Sequence, residues 1–385
     1  MTCRLLAFLS LALLLPSANA QESMTPKAGY LMYVGTYTVR NSKGIYAYRY
    51  DQVSGQLISL GLAAETVNPS FVAASPDRRF LYAVNEEQKY KDQSSGAVTA
   101  FTIDLMTGKL TELNQIASRG ADPCHISLDR TGKFVLVANY TGGNVAVFPV
   151  LENGSLGDFS AFDQHKGSGP NADRQEGPHA HWIHVSSDNR FVLTADLGLD
   201  EILVYRFDPT KGTLTPNDPP FGKVEPGAGP RHLAFHPDGK FAYVISELAS
   251  TITSFSYDPK AGTLQRLRSW PTLPKDFKGE NTTAEIAVHP NGKFVYGSNR
   301  GDDSIVVFAV GPNHGDLTFV ERVPTGGKAP RNFAIDPGGK RLFVANQESD
   351  NIVVFNIDPR TGKLKPTGQQ LKVSAPVCIE FVQMK

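Results

Sequence analysis

The chain has 385 residues, with 38 Lys and Arg against 38 Asp and Glu, so its formal net charge is zero. That balance excludes binding to nucleic acid or to an anionic membrane through bulk charge. The 35 Gly and 26 Pro suit an all-β chain dense in turns, and the length could hold two domains or one repeat array.

The first twenty residues read as a secretory signal peptide. Arg4 supplies a positive n-region and Leu5 to Leu15 an apolar run; Pro16 ends that run, and Ala18-Asn19-Ala20 fits a small-x-small cleavage site. The run is too short to span a bilayer. The mature chain is expected to begin near Gln21, to be periplasmic or secreted, and to form a single domain over residues 21–385. Cleavage removes Cys3 and leaves Cys124 and Cys378, too few for a disulfide framework, so both are expected as free thiols.

From Tyr30 onward one unit recurs. Its clearest copy runs from Gly229 to Leu264: a short strand (His232 to Phe235), a Pro-Asp-Gly turn, a second strand (Phe241 to Ile245), a polar break, a third strand (Thr251 to Tyr257) and a Pro-Lys-Ala-Gly turn into a fourth. Alternating apolar and polar residues with Gly, Pro and Asp punctuation favour strands over helix. The first copy, from Tyr30, lacks its first strand. Whole copies open at Pro69, Pro123, Ala180, Pro230, Thr283 and Pro330, each with its first turn six or seven residues on: SPDRR, DRTGK, SSDNR, HPDGK, HPNGK and DPGGK. A spacing of roughly 50 residues fits a four-stranded propeller blade. At the C-terminus, Pro376-Val-Cys-Ile-Glu-Phe resembles a lone first strand. It can complete the first blade, which closes the ring and removes exposed sheet edges. The expectation is an all-β, seven-bladed β-propeller of four-stranded antiparallel blades.

In such a ring the first turn and the third-to-fourth turn lie on one face. The entry to the first strand and the loop after the second lie on the other, at the channel mouth. Aligning the copies gives a column at the first-strand entry: Ser70, Cys124, His181, Arg231, Ala284, Arg331, Val377. Beside it runs Phe71, His125, Trp182, His232, Glu285, Asn332, Cys378. After the second strand come Glu86, Tyr140, Leu197, Glu247, Arg300 and Gln347. Residues that vary between otherwise similar repeats and are polar at the channel mouth are the expected ligand-facing ones. The recurrent Asn and Asp that precede this last column, Asn139, Asn299 and Asn346 among them, read first as strand-end caps, although Asn299 and Asn346 also rank among the expected substrate contacts. His125 and His232 read as hydrogen-bonded core histidines. His181, Arg231, Glu247, Arg300 and Arg331 are costly to bury unless paired, and together they point to a site for an anionic ligand with proton transfer. Strand alternation is expected to turn Glu285 between blades, away from the channel. His179-x-His181 lacks a third ligand, so no metal site is expected; with no P-loop, dinucleotide fingerprint or G-x-S-x-G elbow, no cofactor is expected either.

The segments YVGTYT, GIYAYRYD, GPHAHW, TADLGLDEILVYRFD, AGPRHLAFHPDGKFAYVISE and APRNFAID resemble the seven-bladed propeller lactonases over nearly the whole mature chain. That group includes propeller-type bacterial 6-phosphogluconolactonases and the fungal carboxy-cis,cis-muconate cyclase. The resemblance implies a catalytic His, Arg and Glu at His181 or His179, Arg231 and Glu247, and a further arginine at Arg300. It departs from a cytoplasmic 6-phosphogluconolactonase in its signal peptide, so the expected substrate is either 6-phosphogluconolactone or an unphosphorylated gluconolactone. The leading expectation is hydrolysis of a sugar-acid lactone by a monomer. Glu247 and His181 would activate water, Arg231 would stabilise the oxyanion, and Arg300 and Arg331 would hold the substrate with His179, Asn299 and Asn346 nearby. A lactonising cyclase on the same residues, and a non-catalytic propeller binding a protein or glycan, are the alternatives.

Overall fold

Each repeat folds into one four-stranded antiparallel sheet, and seven such sheets form a ring. The computed structural model describes residues 29–384; the expected signal peptide lies outside the described residues. Blade 5 shows the pattern, with strands Pro230–Phe235, Phe241–Ser246, Thr251–Asp258 and Thr263–Pro271 in spatial order. Blade 1 is assembled from both ends of the chain. Its innermost strand is Pro376–Gln383, which pairs antiparallel with Gly29–Thr36 from Tyr30↔Gln383 to Val34↔Ile379. The expected split closure is present.

The first strands line the channel, and each packs on the first strand of the next blade all the way round, Pro376–Gln383 touching both Val72–Ala74 and Pro330–Ile335. The second strands are buried on both faces and therefore read as near-continuous apolar runs, FLYAVN, FVLVAN, FVLTAD and their relatives. Strand alternation sends Leu31 and Tyr33 of blade 1 to the cluster shared with blade 2, and Met32 and Val34 to the cluster shared with blade 7. Seven apolar clusters, one per blade interface, make up the core. Each large side chain buried there contributes about 2 kcal/mol. Tyrosine hydroxyls add polar staples: Tyr82 donates to Gly154 O at 2.9 Å, Tyr243 to His314 O at 2.7 Å and Tyr296 to Gly362 O at 2.9 Å, each reaching the next blade.

The first turn of each whole blade needs a left-handed residue. Gly132, Gly239, Gly292 and Gly339 take it at φ near 70°, and Arg78 and Asn189 occupy it at 64° and 61°. Cys124 and Cys378 are buried free thiols, as expected.

Candidate active site

The site is built by a repeated flaw in strand pairing. At the entry to the first strand, Pro230 pairs with Ser246 and His232 with Ile245, so Arg231 is an extra residue without a partner. The same bulge leaves Cys124, His181, Arg331 and Val377 unpaired, and in blade 6 it falls at Ala284 and Glu285. Four of these blades open on proline, which has no N–H to give the ladder, and an unpaired bulge residue is free to aim its side chain at the channel. The expected column at the first-strand entry is therefore real, and its cause is the bulge.

The bulge also overturns one expectation. Simple alternation would turn the neighbouring column between blades. Instead three of its rings meet in the channel: Phe71 lies tilted 4.3 Å from His125, and His232 lies 5.3 Å from His125, 5.3 Å from His181 and 6.0 Å from Phe71, while Trp182 packs between blades 4 and 5. Glu285 belongs to this floor. Its Oε1 is 3.0 Å from His232 Nδ1, its Oε2 accepts Asn332 Nδ2 at 2.6 Å, and Asn332 Oδ1 accepts the Ile379 amide at 3.0 Å. The floor ties blades 5, 6, 7 and 1 together across the axis.

Above the floor, Glu247 is the hub. The loop after its strand is held to the first-strand entry by Glu247 N donating to Gly229 O at 2.7 Å. Arg231 Nε donates to Glu247 Oε2 at 2.9 Å, Arg300 Nη2 reaches the same oxygen at 2.8 Å, and Arg174 Nη2 reaches Oε1 at 2.7 Å. The guanidiniums are themselves fixed: Arg231 Nη1 donates to Ala284 O at 2.8 Å, Arg300 Nη2 to Thr283 O at 2.9 Å, and Arg174 Nη2 to Tyr140 Oη at 3.2 Å. Burial alone would raise the Glu247 carboxyl, but Arg300, Arg231 and Arg174 outweigh it and hold it down at about 2. Burial, helped by Arg231 and Arg331, brings Arg300 down to about 10 although Glu247 opposes it.

Arg331 lies apart from that clamp. Its guanidinium sits 5.3 Å over the Tyr37 ring and 4.0 Å from Glu86 Oε1, which also accepts the Tyr37 hydroxyl at 2.8 Å. Arg331, Arg231, Glu86, Glu285, His232, Ser70 and Cys124 share a small cavity of about 10 Å³, room for roughly one water. Among the described residues, Ser70 Oγ, Glu86 Oε2 and His232 Nε2 have no hydrogen-bond partner there.

The two histidines separate cleanly. His179 stacks on Tyr140 at 4.5 Å, with Nδ1 donating to Tyr140 O and Nε2 3.1 Å from Glu176 Oε1. His181 is buried with Nδ1 unpartnered, and burial, with Arg231 and His232 adding to it, drives its pKa well below the ordinary value, so the ring is neutral at pH 7.

Sequence reading brought Glu247, Arg231, Arg300, Arg331 and His181 to one place, and they are together. Asn299 and Asn346 are not with them. Both are fully buried at strand ends; Asn299 accepts Thr272 Oγ1 at 2.7 Å and donates to Ser304 Oγ at 3.2 Å, and Asn346 donates to Thr325 O at 3.5 Å. Their hydrogen bonds make them strand-end caps of their blades. Arg174 was missed. It comes from the connection 165–179, the longest between blades, which Gln175 pins by donating to Leu197 O and Asp200 Oδ1, both at 2.8 Å. The length of that connection was the available signal. Glu86 stood in the right column but drew no attention without a visible partner.

Comparison with known proteins bears on this geometry. Residues 31–381 match the family model described as "Lactonase, 7-bladed beta-propeller". A 6-phosphogluconolactonase of Bacillus subtilis is 40% identical over 353 residues, 92% of this chain and 98% of the relative. The structure of a periplasmic gluconolactonase of Pseudomonas aeruginosa superposes with a TM-score of 0.86 at 36% identity, covering 93% of this chain and all of that one. A Bacteroides fragilis protein described as a candidate 6-phosphogluconolactonase superposes with a TM-score of 0.87 at 39% identity, covering 93% and 99%. The chain belongs to the seven-bladed β-propeller lactonases, a family of enzymes.

Proposed function

We propose that the protein hydrolyses a sugar-acid lactone of the gluconolactone type at the Arg231–Glu247–Arg300 cluster. The observation that carries this reading is the convergence of three guanidiniums on one buried carboxylate at the channel mouth of a lactonase fold. Ester cleavage by water develops negative charge on the ring carbonyl oxygen, and fixed guanidinium donors stabilise it without reorganisation. Arg231 and Arg300 supply those donors.

A carboxyl held at about 2 is a weak base at rest, so Glu247 first serves to aim the arginines. As the oxyanion forms it competes for Arg231 and Arg300, their hold on Glu247 weakens, and its basicity rises toward the transition state. Glu247 then accepts the proton of the attacking water and returns it to the ring oxygen as the acyl C–O bond breaks; the neutral His181, whose Nδ1 has no partner among the described residues, is the relay in this reading. A second reading has one observation in its favour: Glu86 Oε2 is an unpaired carboxylate oxygen in the cavity, which suits a base in place of Glu247.

Arg331, outside the clamp, suits a carboxylate, phosphate or hydroxyl of the substrate. The leader sequence and the likeness to a periplasmic gluconolactonase favour an exported enzyme acting on an unphosphorylated lactone. On this reading the enzyme acts as a monomer without a cofactor. The test is acid release, followed by pH-stat, from glucono-1,5-lactone and 6-phosphogluconolactone, with a muconate assayed for cyclisation. Turnover of the gluconolactones above the spontaneous rate is expected. No acceleration of either would end this reading, and turnover of the muconate alone would move the assignment to the cyclase.

A further inference from the structure

We propose a divalent transition-metal site of the Zn²⁺ type on the face opposite the active site, formed by His236, Asp238 and His314. The scattered histidines gave no metal site in the sequence, but folding brings two of them to one carboxylate. His236 and Asp238 lie in the first turn of blade 5, His-Pro-Asp-Gly-Lys, and His314 lies in the third-to-fourth turn of blade 6. One ligand atom from each falls within 4.8 Å of the others. His236 Nδ1 is 2.9 Å from Asp238 Oδ1, and His314 Nδ1 is 2.8 Å from Asp238 Oδ2.

Tautomer chemistry makes this cluster unlike a pair of ordinary hydrogen bonds. His236 Nε2 lies 2.9 Å from Gly292 O, and a carbonyl only accepts, so Nε2 carries the proton. In the neutral ring Nδ1 then offers a lone pair; it accepts the Asp238 amide at 3.3 Å and also lies 2.9 Å from Asp238 Oδ1. The amide leaves room in the same direction for a second positive partner between Nδ1 and the carboxylate, a proton or a cation. The Nε2 bond to a backbone carbonyl is the outer contact that orients metal-binding histidines and raises their basicity. The edge of a tetrahedron with Zn–N and Zn–O bonds of 2.0–2.1 Å is about 3.3 Å, about half an ångström longer than the two histidine–carboxylate contacts present, which run to separate oxygens of Asp238. His314 and Asp238 are partly exposed, so an ion has access and a fourth position is open to water. His314 is held toward the site by the Tyr243 hydroxyl on its carbonyl at 2.7 Å, and its ring lies 4.3 Å from His236.

The next blade provides a built-in control. In blade 6 the turn is His-Pro-Asn-Gly-Lys, and His289 Nε2 donates to Gly339 O at 2.8 Å just as His236 does to Gly292 O. There the second ligand is Asn291 in place of the aspartate, and its amide is spent on Pro359 O. The histidine-to-carbonyl strap, and the Nδ1 acceptor for the amide two residues on (Asp238 N at 3.3 Å, Asn291 N at 3.1 Å), are thus a structural device common to both blades. Asp238 from blade 5 and His314 from blade 6 are what this corner adds, and they carry the metal reading. An ion bound there would pin the blade 5 turn to the blade 6 loop and so stabilise the folded ring.

The experiment uses untagged, EDTA-treated full-length protein with zinc sulfate, and compares wild type with Asp238→Asn and His314→Ala. Asp238→Asn recreates the turn that blade 6 already folds, so it separates loss of metal from loss of fold. Calorimetric titration is expected to give one zinc per wild-type chain, with affinity at least tenfold weaker in both variants. Zinc should raise the Tm of wild type and not of either variant, while lactone turnover stays the same in wild type and Asp238→Asn. Equal zinc affinity in wild type and Asp238→Asn would overturn the proposal. So would a wild type that binds no zinc and differs from Asp238→Asn only in the pH dependence of its Tm, because a proton would then fill the role.

Discussion

Glu247 carries the account at the level of single residues, because one carboxylate orders three guanidiniums. Glu247→Gln is expected to lower kcat by a factor on the order of 10²–10⁴, while circular dichroism keeps its native β signature. It should also destabilise the ring by about 3–5 kcal/mol, since removing one partner leaves buried charge unpaired. The pH dependence follows from the depressed carboxyl at about 2. A carboxylate whose folded pKa lies below its unfolded value, about 4.3, stabilises the fold above that value and loses the contribution as pH falls through the folded one. The stability gap between wild type and Glu247→Gln should therefore be constant from pH 7 to pH 5 and close between about pH 4 and 2 in urea titrations. A gap that closes near pH 6 would mean that the clamp does not hold the carboxylate. Asn299 provides the contrast. Asn299→Ala should cost about 1–3 kcal/mol, the range for leaving buried partners unsatisfied, and leave KM unchanged, because its amide serves Thr272 and Ser304. A raised KM with unaltered stability would return Asn299 to the substrate.

The decisive element is the closing strand, Pro376–Gln383, which pairs with Gly29–Thr36 and packs on blades 2 and 7. Deleting Val377–Lys385 exposes strand edges on both sides of the gap and uncovers the apolar clusters that blade 1 shares with its neighbours. Loss of a cooperative melt, or aggregation on size exclusion, is expected; a truncated chain that melts like the full one would refute ring closure. This element was legible because its pattern, apolar alternation after an opening proline, repeats six other first strands and supplies the piece missing at the N-terminal end. The entry bulges were not legible. An extra residue in a strand leaves the apolar pattern nearly intact while it changes where the next side chain points, and so Glu285 was turned the wrong way. Arg174 escaped for a different reason. It sits in a connection with no counterpart in the other blades, so aligning repeats had nothing to align it with.

At the scale of the whole molecule, the repeats divide labour between the two faces of the ring. One face keeps the same tight turn in blade after blade, and only blade 5 with its neighbour adds the His236, Asp238 and His314 cluster. The other face varies its residues at fixed backbone positions, and the variation concentrates Arg231, Arg300 and Arg331, joined by Arg174 from the long connection, around Glu247 and Glu86 over a floor of rings and Glu285. Seven independent apolar interfaces hold those positions rigid, which is what preorganised donors require. The central claim is that this cluster stabilises the charge that develops when a lactone opens, and Arg231→Lys tests it most directly. Lysine keeps the charge but cannot bridge Glu247 and Ala284 O at once as the guanidinium does. With glucono-1,5-lactone in a pH-stat, kcat/KM is expected to fall by about 10²–10³ relative to wild type, the loss seen when one oxyanion donor is removed. Arg231→Lys turning over the lactone at the wild-type rate would contradict the account.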